Sequence, residues 1–172
     1  MMAMTLASCP APAYTPASTT RTAPMRPIET IAFAGTSVYV LVSGEETGRQ
    51  FALLHITNPP GVWTPRHRHL NEDETVYVLS GQVEIETGGE TQLLSAGEVV
   101  VLPRAQAHRL GNAGPEPAQA LVFCTPSGFE QFVREAGQPV SNNEPARAPD
   151  AATLGRLVGL SSRFGIELLP AG

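Results

Sequence analysis

HRHLNEDETVYVLSG, residues 67–81, sets two histidines one residue apart ahead of a knot of acids, then a β-rich run closed by glycine. In a strand, residues two apart share a face, so His67 and His69 point one way while Arg66 and Arg68 point the other. That spacing lets two imidazoles reach one ion. Glu74 lies an odd number of positions beyond His69 and would face the opposite way on an unbroken strand. Leu70–Asp73 is turn-like, however, and a turn resets the face before ETVYVLS begins, so Glu74 can be aimed at the same ion. A fourth ligand has to come from elsewhere, and only His55 and His108 remain. His108 follows LPRAQA, a turn at the end of an apolar strand, a natural place to aim a side chain inward.

The surrounding texture is one of short strands. TSVYVLV and QFALLHI are β-rich and separated by SGEETG, a hairpin-like connection. VEIET and TQLLS alternate around Gly88-Gly89, a two-residue turn of the kind hairpins prefer. EVVVLP reads as a buried strand stopped by Pro103, and AQALVFC supplies another. Many short strands at roughly regular spacing argue a sandwich or barrel. After residue 126 the period changes. Phe129, Phe132, Val133 and Ala136 fall on one helical face, Ser127 with Glu130 fits a capping box, and Gly137 suits the stop. A Pro-bearing linker over residues 138–149 leads to a second, glycine-weakened helix in AATLGRLVGLSSRFG, then to the extended IELLP. The expected organisation is a flexible or strand-swapping arm over residues 1–27, a β-barrel over 28–126, and a C-terminal helical extension and tail over 127–172.

Composition narrows the chemistry. The chain has 172 residues, a net charge of -5 and no lysine, so Schiff-base and lysine general-base chemistry are excluded and a polyanion partner gains no attraction. No nucleic-acid motif and no membrane-length apolar run appears. The two cysteines, Cys9 and Cys124, sit far apart in unlike contexts, which fits free thiols in a reducing compartment better than a disulfide framework. LASC before Pro10 has the outline of a lipoprotein cleavage box but lacks a positive flank and a long enough apolar stretch, so the cytoplasm is the expected compartment. Glu72 and Asp73 sit where the chain reverses and read as solvated turn acids. His55 shares a face with Phe51 and Leu53 and reads as a satisfied or lining histidine. Trp63 fits core and pocket wall equally; Arg66 and Arg68 read as facing solvent or a partner subunit.

Gly61, five residues, His67, one, His69, four, Glu74, six, Gly81 resembles the first motif of the cupin superfamily in full. Gly97, five residues, Pro103, one, Ala105, two, His108, three, Asn112 resembles the second at every position but one, Ala105 standing where the family has a glycine that would permit positive φ. The resemblance implies an all-β, jelly-roll type antiparallel cupin barrel holding one divalent transition metal through His67, His69, Glu74 and His108. Three imidazoles and a carboxylate leave one or two open positions and suit Fe, Mn, Ni, Co, Cu or Zn. By alternation from Glu74, Val76 and Val78 face inward, and Leu110 shares parity with His108. With Leu102 and Trp63 they are the expected substrate pocket, mostly apolar and suited to an aromatic or weakly charged small molecule.

SGEETGRQFALLHITNPPG, TPSGFEQFVREAGQPV and SSRFGIELLP are similar to the small quercetin 2,3-dioxygenase-like cupins. That likeness implies a dioxygenase acting with O2 on a flavonol-like or enol/aromatic substrate, with Glu74 as the proton acceptor, and a homodimer. Cupins with the same ligands also include isomerases, epimerases and decarboxylases that use no oxygen. A non-enzymatic binding module is the third expectation, since fold alone does not assign function.

Overall fold

The computed structural model describes residues 29–140 and 149–170, so the arm expected over residues 1–27 lies outside the described residues. The β-rich runs form strands in the order Glu29–Phe33 (β1), Thr36–Val42 (β2), Ala52–Asn58 (β3), His67–His69 (β4), Asp73–Ser80 (β5), Gln82–Thr87 (β6), Glu90–Ser95 (β7), Val99–Leu102 (β8), His108–Gly111 (β9) and Ala118–Thr125 (β10). Helix α1 (Phe129–Ala136), the short strand β11 (Gln138–Pro139), helix α2 (Ala151–Ser161), a 3-10 turn (Ser162–Phe164) and β12 (Ile166–Leu168) follow. The strands make two antiparallel sheets, one ordered β11-β1-β2-β3-β10-β5-β8 and the other β12-β4-β9-β6-β7. They form a jelly roll that does not close into one continuous hydrogen-bonded ring.

The period-2 pattern places the core between the sheets. Val38, Val40, Leu54, Val76, Val78 and Val122 face inward from the larger sheet, and Val83, Ile85 and Leu94 from the smaller. Gly88 and Gly89 both take positive φ, 61° and 84°, in the turn that pairs Thr87 with Glu90. Two adjacent left-handed residues are what a type I′ hairpin requires, and glycine adopts them without steric cost.

Helix α1 buries the predicted face, Phe129, Phe132, Val133 and Ala136. Its expected capping box does not form. Gly128 occupies the N-cap, and no side chain caps it. The Glu130 carboxylate is fully buried instead, accepting from the backbone N–H groups of Gly128 at 2.8 Å and Gly44 at 3.0 Å. This ties the helix start to the turn between β2 and β3. EVVVLP also departs from expectation. β8 is an edge strand, with Val99 and Val101 58% and 60% exposed; of its four residues only Leu102 is buried. An apolar run signals a strand without saying whether both of its faces are covered.

The two short C-terminal strands enter the sheets directly. β11 pairs with β1, and β12 pairs with β4, setting Ile166 opposite His69 and Leu168 opposite His67. Among the described residues no helix is long and apolar enough to cross a membrane.

Candidate metal centre

β4 is three residues long and held on both sides, by β12 and by β9, where His67 sits opposite His108. Its alternation sends His67 and His69 inward and Arg68 outward to an ion pair with Glu167 at 2.7 Å. The turn at residues 70–72 then carries the chain into the other sheet, so Glu74 on β5 faces β4 across the interior. All four side chains, His67, His69, Glu74 and His108, are buried, and their ligand atoms lie within 4.8 Å of one another. Glu74 Oε2 is 3.1 Å from His108 Nε2 and 3.4 Å from His69 Nε2. His55, the other candidate, lies on the outer face of β3, stacked on Tyr39 with ring centroids 5.2 Å apart.

The electrostatics follow from this crowding. Burial and the neighbouring His108 and His69 push His67 down to about 3, so its ring is neutral. Burial pushes the Glu74 carboxyl up, but the His108 hydrogen bond and three imidazoles outweigh it and hold the group at about 2. Burial likewise opposes the charged form of His108, yet the Glu74 hydrogen bond and charge raise it above the usual imidazole value. Both ring nitrogens of His108 face acceptors, the Gln106 carbonyl at 3.0 Å and Glu74 at 3.1 Å. Both nitrogens of His69 and Glu72 Oε2 are buried without a hydrogen-bond partner, a cost of about 1–3 kcal/mol for each such group. Three borderline nitrogens, one carboxylate oxygen and unpaired buried polar atoms fit a divalent transition ion. The Cys124 thiol, beside Glu74 on β10, is kept neutral by burial and the adjacent carboxylates and lies outside the cluster.

His67 and Glu74 stand in the wall of a cavity of about 70 Å³ between the sheets. Ile56, Val76, Val83, Leu110, Val122 and Phe129 supply much of the rest, and no arginine lines it. Of the polar wall residues, Thr64 accepts from the Leu110 N–H at 3.0 Å and Thr36 donates to the Phe33 carbonyl at 2.7 Å.

Among the five expected pocket residues, Val76 and Leu110 line this cavity; Val78, Leu102 and Trp63 do not. Val78 and Leu102 do face inward and are buried, but alternation fixes direction and not distance along the strand. Trp63 bridges to Gly111, where a side chain would collide with its ring, and carries the Arg109 guanidinium 4.7 Å above that ring. Asp73, read as a solvated acid, pairs with Arg104 at 2.6 Å and so joins the two motifs; that contact draws its carboxyl down to about 2. Glu72 is a plain correction. It is 2% exposed, with Oε2 at 3.5 Å from His69 Nδ1. Sequence reasoning also missed the C-terminal contribution: Phe129 packs against His69 with centroids 5.0 Å apart, and Leu157, Ile166 and Leu168 line the cavity. The apolar face of α1 was readable, but nothing in the pattern said what it would cover.

Comparison with known proteins agrees with this architecture. The Cupin domain family model matches residues 54–124, which takes in both motifs. The tetracenomycin polyketide synthase protein TcmJ of Streptomyces glaucescens is 29% identical over 117 residues, 67% of this chain and 77% of its own length. Quercetin 2,3-dioxygenase of Bacillus subtilis is 29% identical over 121 residues, 69% of this chain, which therefore spans only 35% of that enzyme. Among solved structures, a predicted oxalate decarboxylase from Thermotoga maritima superposes with a TM-score of 0.51 at 22% identity, covering 56% of this chain and 89% of its own; at that identity it speaks for the fold alone. The domain match lies across the strands that carry the cluster, so residues 54–124 of this chain form a cupin domain.

Proposed function

We propose that this chain is a mononuclear-metal dioxygenase acting on a flavonol-like, enolic or aromatic small molecule, with His67, His69, Glu74 and His108 as ligands and Glu74 as the proton acceptor. The observation that carries this reading is the junction of cluster and cavity: two of the four cluster residues, His67 and Glu74, stand in the wall of a mostly apolar chamber that no arginine lines. Such a chamber accepts a flat, uncharged substrate and offers a phosphate no guanidinium to pair with. When bound, a divalent transition ion supplies Lewis acidity toward a substrate hydroxyl and access to oxygen chemistry. Glu74 Oε2, facing both His69 and His108, takes the hydroxyl proton. Val76 and Leu110 bear on the ring, and Phe129 shields the cluster from bulk water. The name of the Bacillus subtilis relative supports oxygen chemistry. The unpaired, buried Cys124 thiol supports a cytoplasmic setting.

Oxygen uptake tests the reading. Samples loaded with Fe(II), Mn(II), Ni(II), Co(II) or Cu(II), with occupancy verified, meet a panel of flavonols and related enols. Substrate-dependent uptake that collapses in Glu74→Gln at matched occupancy is the expected result. Conversion without oxygen loss assigns an isomerase, epimerase or decarboxylase instead, and ligand binding without conversion assigns a binding module.

We also propose a homodimer formed through the outer face of the larger sheet. The register sets Tyr39, His55, Leu121, Tyr77 and Val99 side by side across five strands. Leu79 and Val101 extend the same face, and with Tyr77 and Val99 they are 41–60% exposed. An antiparallel sheet facing water alternates apolar-in with polar-out; this one adds a run of exposed aromatic and aliphatic side chains on its outer face, which suits a self-complementary interface.

A further inference from the structure

The three imidazoles of the cluster do not hold their outward nitrogens in the same way. His67 donates Nδ1–H to the Pro65 carbonyl at 2.7 Å, and His108 donates Nδ1–H to the Gln106 carbonyl at 3.0 Å. Each ring is thereby fixed with Nε2 left for the centre. His69 has no backbone acceptor: its Nδ1 is buried and unpartnered. The atom it faces, Glu72 Oε2, is also buried and also unpartnered, at 3.5 Å. Two orphaned polar atoms confront one another, one able to donate and the other to accept.

The chain makes room for this carboxylate. A Cβ on Gly128 would lie 2.8 Å from Glu72 Oε1, and Gly128 has φ +156°, so a residue with a side chain is strained there and crowds Glu72. Glu130 pins the Gly128 N–H, and Phe129 closes over His69. Glu72 is not one of the four residues whose ligand atoms converge. It stands one layer behind them, on a single histidine.

We infer that Glu72 is a positioning residue of the metal centre, receiving the Nδ1 proton of His69 and so fixing that ring with Nε2 toward the ion. This rests on the metal-centre reading above. Ligation at Nε2 leaves the proton on Nδ1, where it needs an acceptor, and closing 3.5 Å to about 2.8 Å supplies a charge-assisted hydrogen bond. Among the three imidazoles, His69 is then the one whose Nδ1 faces a carboxyl group and not a backbone carbonyl.

The test uses Co(II) as the probe on the full chain, for the parent, Glu72→Ala and Glu72→Gln. Affinity is measured by competition with a chelator, the ligand field by the visible Co(II) spectrum, and the metal-free fold by thermal unfolding. The expected result is an affinity loss of about ten- to a hundredfold in Glu72→Ala with a shifted spectrum, and a smaller loss in Glu72→Gln, whose amide oxygen still accepts. The metal-free unfolding temperature of Glu72→Gln stays at or above the parent value. Parent-like affinity and spectrum in both variants overturn the inference and leave Glu72 a packing residue. Loss of the metal-free fold in Glu72→Gln overturns it too. A parent chain that takes up no Co(II) overturns the centre itself, an outcome separable from the other two.

Discussion

The backbone N–H of Ala105 donates to the carbonyl oxygen of His69 at 2.6 Å, so the turn that delivers His108 is anchored on the strand that carries the other two histidines. Ala105 reaches that bond with φ of 64°, the left-handed conformation that a glycine at this motif position adopts freely. The alanine keeps the turn and carries its strain, about 1–2 kcal/mol for a residue with a Cβ. Ala105→Gly is therefore expected to stabilise the chain by about 1 kcal/mol, after the added freedom of the unfolded glycine is subtracted. Urea midpoints at equal slope measure it; a destabilised variant would mean the turn is unstrained.

Val83 lines the cavity from the sheet opposite β5 and is not one of the four clustered side chains. Val83→Phe is expected to fill the chamber, raising KM steeply or abolishing turnover while leaving metal stoichiometry at the parent value. Some overpacking cost, about 1–3 kcal/mol, accompanies it. Unchanged kinetics would place the substrate elsewhere.

Asp150 caps α2 by accepting the Thr153 N–H at 2.7 Å, and that bond holds its carboxyl below the ordinary value. A carboxylate with a lowered folded pKa contributes stability above its unfolded pKa and loses it as pH falls through the folded one. The margin of the parent over Asp150→Ala is thus full at neutral pH and shrinks below about pH 3.9, the unfolded value. Asp150→Asn keeps an acceptor that does not titrate, so its margin over Asp150→Ala stays flat. Denaturation curves of the three chains between pH 6 and 2.5 check this, and a parent margin independent of pH would remove the cap from the account.

Val99 and Val101 are exposed on an edge strand, where replacement costs the protomer little, within about 0.5 kcal/mol. The double variant Val99→Glu with Val101→Glu sets four like charges across a two-fold interface. Sedimentation velocity is expected to show a dimer for the parent and a monomer for the variant. A parent that sediments as a monomer rules out the interface.

Three of the four clustered residues could be read from spacing, because strand periodicity and one turn dictate which way His67, His69 and Glu74 face; spacing left His55 and His108 as candidates for the fourth, and the resemblance of the second motif pointed to His108. The turn that aims Glu74 also hid Glu72. At a chain reversal no period applies, and burial depends on what arrives from elsewhere, here the start of α1. Pocket depth was opaque for a related reason: Val76 and Val78 are equivalent by alternation, and only the three-dimensional taper separates them. The edge position of β8 was equally hidden, since VVVL carries no mark of its missing neighbour. The C-terminal helices were recognisable from their apolar faces, whereas the pairing of Ile166 with His69 is a long-range contact without a local signature.

That pairing also bears on when the centre can assemble. β4 has only three residues, and its flank along β12 is made of chain synthesised about a hundred residues later. Chains emerge from the N-terminal side, so His67 and His69 leave the ribosome long before the strand that steadies them. A nascent chain carrying both motifs already has all four ligands and still lacks the scaffold that holds two of them in register. An ion entering this centre would therefore meet a β4 held on both sides only after residues 166–168 have docked.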